Sequence, residues 1–293
     1  MVAEDQHFFD QQGVAVELKE FTAGKFALQA FIGRSLDFAV AGDVPVTLAT
    51  LQGSQFRVLT QVVEHTTNEV RVVARRDPGA TDPRTYFHKK RRRLATSFGG
   101  GPEFFSYVFL KKYGVASDEV EILSQRPEDM PGALTKGSVD AIAVFDPFAF
   151  VAEKQMGNDA ITFTDSALYS ELYVMTVRQE TIDGNPDLAG KIIAALLNAQ
   201  KFIEGNPEGS KQIVMKYTRL DRATVDGIWN NFSFAPALTQ HLLDYQNQEA
   251  AWARSKGTIP ASAPTPNFRA RIYAQPLQTL QPAAVRLSQA GDK

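Results

Sequence analysis

Glycine and small polar residues stand at three joints where an apolar run gives way to a helix-forming pattern. The joints read "FTAGK" (21–25), "VAGDVP" (40–45) and "SFGGGP" (97–102). The first turn of a helix carries backbone N–H groups without an intrahelical acceptor, and the helix dipole adds positive charge there. Such joints can bind an anion without a basic side chain. The pattern therefore predicts capture of an anion by backbone N–H groups.

The candidate binding residues at these joints are small or acidic. They are Thr22, Gly24, Gly42 and Asp43 at the first two joints, and Ser97, Gly99, Gly100 and Gly101 at the third. Tight turns and helix caps use the same residue types, so each joint also has a purely structural interpretation. The three consecutive glycines either form a packing corner where no Cβ fits or expose their amides to a ligand.

A ninth candidate lies in "VFDPFAF" (144–150), where Asp146 follows a buried apolar run. Its carboxylate could accept a hydrogen bond from an amine or hydroxyl group of a ligand. The alternative is a helix cap, with Pro147 in the first turn of the helix that follows.

The residue content excludes several kinds of chemistry. The chain has no cysteine, so thiolate nucleophiles, disulfides and Cys-ligated metals are absent. The four histidines (His7, His65, His88 and His241) share no metal-ligand spacing, and no nucleophile-and-base motif occurs. We therefore expect no enzyme, metal or cofactor. The basic run "HKKRRR" (88–93) lacks interleaved aromatic residues and the net charge is −2, so we expect no nucleic-acid partner.

Alternating strand and helix patterns must position these joints. Strands are predicted at 14–21, 36–42, 55–63, 68–76, 93–97, 119–123, 139–145, 160–165 and 171–177, with helices between most of them and a connection at 77–91. This alternation predicts an α/β protein with mostly parallel sheets flanked by helices. Beyond residue 177 the pattern becomes helical, and a proline-rich, irregular tail is predicted from Pro260.

The order of these patterns predicts two lobes. Residues 1–80 form the first part of lobe 1, residues 81–170 form lobe 2, and residues 171–293 complete lobe 1 with helices and the tail. The cleft between two such lobes is the default position of a ligand.

The sequence also resembles a known family. "EDQHFFDQQGVAVELKEFTAGKFALQAFIGRSLDFAVAGDVP" resembles the first lobe of ABC-transporter substrate-binding proteins of the nitrate/sulfonate/taurine type. "RRRLATSFGGGPEFFSYVFLKKYGVASDEVEIL" and "MPGALTKGSVDAIAVFDPF" are similar to their second lobe, and "NPDLAGKIIAALLNAQKFIEGNPEGSKQIVMKYTRLD" to their returning helices. The resemblance extends to about residue 256 and is carried by the order and spacing of the motifs.

The resemblance implies a type II periplasmic-binding-protein fold, monomeric and extracytoplasmic. It implies capture of a small anionic organic solute between the lobes, closure about the strands near 68–76 and 171–177, and delivery to an ABC permease in the membrane. Ser97 and the glycines at 99–101 would face the solute from lobe 2. Thr22, Gly24, Gly42 and Asp43 would face it from lobe 1, and Asp146 would form part of the lobe 2 wall.

The chain departs from the family pattern at two places. The family's W-E-P-Y stands here as Phe145, Asp146, Pro147 and Phe148, which leaves the identity of the solute open. The family also has a strand and loop before the helix at which this sequence starts. We therefore expect the first strand, the first ligand loop and a secretion signal to be lacking from this chain, through truncation or a misplaced start.

Two other functions occur on related folds. Sulfinate-cleaving desulfinases and the pyrimidine synthases of thiamine biosynthesis resemble these binding proteins but use cysteine, which this chain lacks. A cytosolic ligand-sensing module is the third alternative. The absence of a signal peptide favours it, and the absence of an attached DNA-binding or kinase domain counts against it.

Overall fold

The computed structural model describes residues 1–65 and 69–288. The helices are α1 (Val2–Asp5), α2 (Gly24–Ile32), α3 (Asp43–Leu51), α4 (Pro83–His88), α5 (Gly101–Lys112), α6 (Met130–Lys136), α7 (Phe148–Met156), α8 (Gln179–Gly184), α9 (Pro186–Gly205), α10 (Pro207–Thr218), α11 (Arg222–Ile228), α12 (Gln240–Ser255) and α13 (Gln275–Leu280). The strands are β1 (Phe38–Gly42), β2 (Arg57–His65), β3 (Arg71–Arg75), β4 (Arg92–Thr96), β5 (Val120–Ser124), β6 (Ala141–Val144), β7 (Ala160–Phe163), β8 (Leu172–Val177), β9 (Phe232–Ser233), β10 (Leu238–Thr239) and β11 (Val285–Arg286). The α/β class predicted from the sequence is confirmed.

The chain divides into two compact units. Unit 1 comprises Met1–Glu64, Leu172–Val225 and Ser233–Lys293, and unit 2 comprises His65–Glu171 and Asp226–Phe232. The first boundary differs from the predicted one, because residues 65–80 lie in unit 2. The cause is β3, which hydrogen-bonds to β6 and β7 of unit 2.

Unit 1 is built on a sheet in which β8 lies between β1 and β2. Both pairings are antiparallel, with Val177 of β8 opposite Phe38 on one side and Arg57 on the other. The buried side chains of these strands form one core with α2, α9 and α12. The twenty residues of α9 supply Ile192, Ile193 and Leu197 to that core at helical spacing.

Unit 2 contains a five-stranded sheet in the order β5-β4-β6-β3-β7. Strand β4 runs parallel to β5 and β6, and β3 runs antiparallel to β6 and β7. The carboxyl ends of β4 and β6 therefore lie at the same edge of the sheet. The glycine joint leaves β4 at that edge, and the joint that contains Asp146 leaves β6 there.

The strand directions correct the prediction of mostly parallel sheets. The sheet of unit 1 pairs antiparallel at β1–β8 and β8–β2, and the sheet of unit 2 is mixed. Both β3 and β8 run antiparallel to the strands beside them. No local sequence pattern encodes the direction of a strand relative to its neighbours, so the alternation of strands and helices could not predict it.

The strand predicted at 14–21 is wrong. These residues lie in no sheet, although Val14 and Val16 pack against the core of unit 1. Residues 1–13 form α1 and a 3-10 turn at Asp10–Gln12. Within the described residues β1 is an edge strand that pairs only with β8, and residues 14–21 form no strand pairing with it.

Three further segments differ from the prediction. The connection at 77–91 contains α4, whose Tyr86 and Phe87 are fully buried. The proline-rich tail includes α13 and β11, and β11 pairs in parallel with β10. The strand predicted at 68–76 is β3 at Arg71–Arg75, and position 68 lies outside the described residues.

Candidate functional site

The glycine joint begins where β4 ends at Thr96 and continues to the first residue of α5. Gly99 has φ of 75°, in the left-handed region that glycine adopts without strain. The extended Gly100 then forms the N-cap of α5. Ser97 is buried and Phe98 is 39% exposed, so the only large side chain of the joint faces outward.

Two adjacent amides of this joint have no acceptor in the protein. Within the described residues, no hydrogen bond involves the N–H of Gly100 or of Gly101, and both residues are buried. The hydroxyl of Thr96, one residue before the joint, is likewise buried without a partner. Because buried N–H groups in proteins are almost always hydrogen-bonded, these donors indicate a position for an external acceptor.

The third amide of the joint is already engaged. The Gly99 N–H donates to Oε2 of Glu103 at 2.7 Å, and Glu103 is only 7% exposed. Glu103 is the third residue of α5, and its carboxylate reaches back past the N-cap Gly100 to the residue before it. Of the three glycines, therefore, only Gly100 and Gly101 present an unused N–H.

Gly101 is also required for packing. A Cβ on Gly101 would lie 2.5 Å from Oε1 of Glu171 and 2.8 Å from the hydroxyl oxygen of Tyr169, and both neighbours are buried. A Cβ on Gly100 would make only ordinary contacts at 3.6 Å. The two alternatives for the glycines thus apply to different residues: Gly101 is a packing corner, and Gly100 is sterically free.

Asp146 has protein partners at both oxygens of its carboxylate. Its side chain is fully buried, and Oδ1 accepts from Nη2 of Arg71 at 2.9 Å and from the N–H of Phe150 at 3.2 Å. Oδ2 accepts from Nδ2 of Asn231 at 2.7 Å. Both carboxylate oxygens are therefore engaged inside unit 2, and the cap interpretation describes this residue better than direct contact with a solute.

Arg71 is the centre of this polar cluster. Besides Asp146 it contacts Glu153 through Nε and Nη2, each at 2.8 Å, in a bidentate pair. Burial by itself lowers the pKa of Arg71, but the hydrogen bonds that Arg71 donates to Glu153 and Asp146 raise it above its usual value. Burial raises the pKa of Glu153, and the guanidinium of Arg71 outweighs that effect and lowers it. Arg71 and Glu153 therefore remain a charged pair.

In the two joints of unit 1, other groups of the protein itself contact the candidate residues. Gly24 begins α2 where that helix crosses β1, and a Cβ there would lie 2.8 Å from Cα of Ala41. Asp43 is fully buried and accepts from the N–H groups of Val44 at 2.9 Å and Leu172 at 3.4 Å. Gly42 is the buried N-cap of α3, and Thr22 is exposed ahead of α2. These contacts support packing and capping roles.

The described residues contain neither a metal-binding cluster nor a membrane-spanning helix. They contain no group of three or more His, Cys, Asp or Glu side chains placed to hold a metal ion. In the same part of the chain, every helix is too short or too polar to span a membrane.

Sequence reasoning missed four residues of this region: Thr96, Glu103, Arg71 and Asn231. Glu103 is an acidic residue in the first turn of α5, where a carboxylate interacts favourably with the helix start, so the sequence did carry a signal for Glu103. Asn231 lies 85 residues from Asp146 and carried none.

Comparisons with known proteins agree with this fold. Residues 1–217 match the sequence model of the NMT1-like family. The taurine-binding periplasmic protein of Escherichia coli (strain K12) is 22% identical over 209 residues, which cover 70% of this chain and 62% of that protein.

Two solved structures are similar over nearly the whole chain. The periplasmic aliphatic sulphonate binding protein SsuA from Escherichia coli is 17% identical, with a TM-score of 0.79, over 94% of this chain and 93% of that one. The desulfurization enzyme DSZB is 14% identical, with a TM-score of 0.70, over 95% of this chain and 94% of that one. The chain thus has the α/β periplasmic-binding-protein fold predicted from its sequence.

Proposed function

This chain belongs to the NMT1-like family, and on that premise we propose that it is the solute-binding component of an ABC importer. Its solute is a small organic anion of the sulfonate or taurine class. The named relatives that bind taurine and aliphatic sulphonates support this class. We place the protein outside the cytoplasm, as a monomer that delivers its solute to a membrane permease.

The observation that carries the proposal is the pair of unused amides at the start of α5. The N–H groups of Gly100 and Gly101 are buried without an acceptor, at the positive end of a twelve-residue helix. A sulfonate oxygen would supply the missing acceptor and interact favourably with the helix dipole. The hydroxyl of Thr96 provides a further donor for the same oxyanion.

Phe98 is the reason for proposing an organic solute. Phe98 is 39% exposed and lies two residues before Gly100, so its ring could cover the apolar part of a ligand whose anionic head lies at the helix start. A bare inorganic anion has no apolar part and would leave that ring in water.

The test is binding of a solute panel to the purified full chain. Taurine, ethanesulfonate, nitrate and acetate are added in thermal unfolding, followed by titration calorimetry of any solute that shifts the midpoint. A solute at a hundred times its Kd adds about 2.7 kcal/mol of stability. A shift with the sulfonates and none with acetate supports the proposal. A folded protein that responds to none of the four contradicts it.

We further propose that the protein releases its bound solute chemically unchanged. The desulfurization enzyme shares the fold, but the chain contains no cysteine that could act as a nucleophile. Proton NMR of taurine or ethanesulfonate after prolonged incubation with the protein should show only the starting compound. Release of sulfite or of an altered carbon skeleton would contradict binding without bond chemistry.

A further inference from the structure

A short stretch of the C-terminal half of the chain belongs to unit 2. Residues Asp226–Phe232 are part of unit 2, although the residues on both sides of them belong to unit 1. We call this stretch the strap. It includes the end of α11 and a 3-10 turn at Trp229–Asn231.

Three contacts hold the strap to unit 2. Gly227 lies so close to the ring of Phe150 that a Cβ on it would be 2.3 Å from Cζ of that ring. Asn231 donates to the buried carboxylate of Asp146 at 2.7 Å. The ring of Phe232 packs edge-on against His65, with centroids 4.9 Å apart. An apolar contact, a polar contact and an aromatic contact therefore act along seven residues.

The polar contact of the strap is shared with the joint after β6. Asp146 lies in that joint and is held from the other side by Arg71 of β3. It also accepts from the N–H of Phe150 in the first turn of α7. One carboxylate thus joins β3, the start of α7 and the strap. This joint leaves the same edge of the sheet as the amides of Gly100 and Gly101.

We propose that Arg71 and Asn231 are positioning residues for the solute site. They touch no solute, but together they fix both oxygens of Asp146 and so fix the β6–α7 joint at the edge of the sheet where the proposed solute binds. Without the donor from Asn231, Oδ2 of Asp146 is a buried carboxylate oxygen that must turn toward water or another donor. That turn would carry residues 145–150 with it. This inference rests on the proposed function in one respect only, which is the measurement of solute binding in its test.

The test is amide hydrogen exchange of the full chain, compared between wild type and Asn231→Ala. We expect exchange in residues 226–232 and 145–150 to become at least about tenfold faster, with no change at β4 or β5. The matched control is Asn158→Ala, because Asn158 is an exposed asparagine of the same unit. The swap D146N/N231D restores the hydrogen bond with donor and acceptor exchanged, and it should return both segments toward the wild-type rates.

Several outcomes overturn the inference. Faster exchange in the strap alone would show that Asn231 anchors the strap without positioning the joint. Faster exchange throughout unit 2 would show a general loss of stability, and failure of the swap would remove the hydrogen bond as the cause.

A binding measurement separates this inference from the proposed function. If wild type binds taurine or ethanesulfonate, Asn231→Ala should weaken that binding about tenfold while Asn158→Ala leaves it unchanged. Unchanged affinity in Asn231→Ala overturns the positioning role. If wild type binds neither probe and the exchange results are as expected, the hold on the joint is supported and the proposed function is the part contradicted.

Discussion

The three glycines of the joint show how adjacent identical residues can have different causes. Gly99 is required by its left-handed backbone, and Gly101 by the carboxylate and hydroxyl that lie where its Cβ would be. Gly100 has neither requirement. The absence of a side chain at position 100 leaves space beside the N–H groups of Gly100 and Gly101. This space best explains why a glycine stands there.

This difference predicts unequal effects of two matched substitutions. Gly101→Ala should lower the free energy of unfolding by about 1–3 kcal/mol, because its Cβ must displace buried Glu171 and Tyr169. Gly100→Ala should cost about 1 kcal/mol or less, the difference between glycine and alanine at an N-cap. Urea unfolding of the two variants and wild type provides the comparison. Equal losses would contradict the packing role of Gly101.

Gly100→Val tests the binding role at the same position. The φ of Gly100 is −136°, which a β-branched residue adopts readily, so the variant should fold. Its side chain would fill the space in front of the two amides, and binding of the best solute from the panel should fall at least about a hundredfold. Titration calorimetry measures this loss of affinity, on Gly100→Val protein whose unfolding midpoint matches that of Gly100→Ala. Wild-type affinity in Gly100→Val would remove the joint from the site.

At the scale of elements, the start of α2 depends on a close approach to β1. Gly24→Ala should destabilise the protein by about 1–3 kcal/mol, because the new Cβ would lie 2.8 Å from the backbone of Ala41 and α2 must move away. Gly190→Ala is the control. Gly190 lies inside α9 with nothing near its missing Cβ, so alanine should stabilise by about 1 kcal/mol. Similar changes in both variants would contradict the steric argument.

Most helices and strands could be predicted from the sequence, and the failures have a common cause. Apolar alternation at 14–21 describes an extended segment with one buried side, and Val14 and Val16 do pack inward. Alternation does not specify a neighbouring strand, so no strand forms there. The same limit explains the sheet directions, because the partners of β3 and β8 are set by distant parts of the chain.

The candidate site was predictable in its position but only partly in its contacts. Joints at helix starts follow from local sequence, so the glycine loop could be located and its N–H groups identified. The hydrogen bond from the Gly99 N–H to Glu103 is local, because the two residues are only four positions apart. The role of Asp146 depends on Arg71 and Asn231, which only the folded chain brings to it.

At the scale of the whole molecule, neither unit is a continuous stretch of sequence. Five successive segments alternate between the units, so the chain passes from one unit to the other four times. Deleting all residues after position 225 would remove the strap from unit 2 and α12 from unit 1. The folding of the two units is therefore linked through the covalent chain, and stability is a property to be measured on the full protein.

The stability of the whole protein should fall as the solution becomes mildly acidic, because of His65. Its side chain is fully buried, with Oε2 of buried Glu69 3.7 Å from Nδ1 and the ring of Phe232 against it. Burial lowers the pKa of His65 from 6.5 to about 3. Between these values the unfolded chain takes up a proton that the folded protein does not. The contribution is therefore fully present above pH 6.5 and is lost as the pH falls toward 3.

This linkage gives a measurable difference between variants. Between pH 7.5 and 5.5 the titration of His65 in the unfolded chain should reduce the free energy of unfolding by about 1.4 kcal/mol. His65→Phe removes the titrating group from its apolar contact with Phe232 and should remove that part of the loss. His7→Phe is the control, because the side chain of His7 is 76% exposed. Urea unfolding at the two pH values measures each loss, and equal losses in wild type and His65→Phe would show that His65 does not remain neutral in the folded protein.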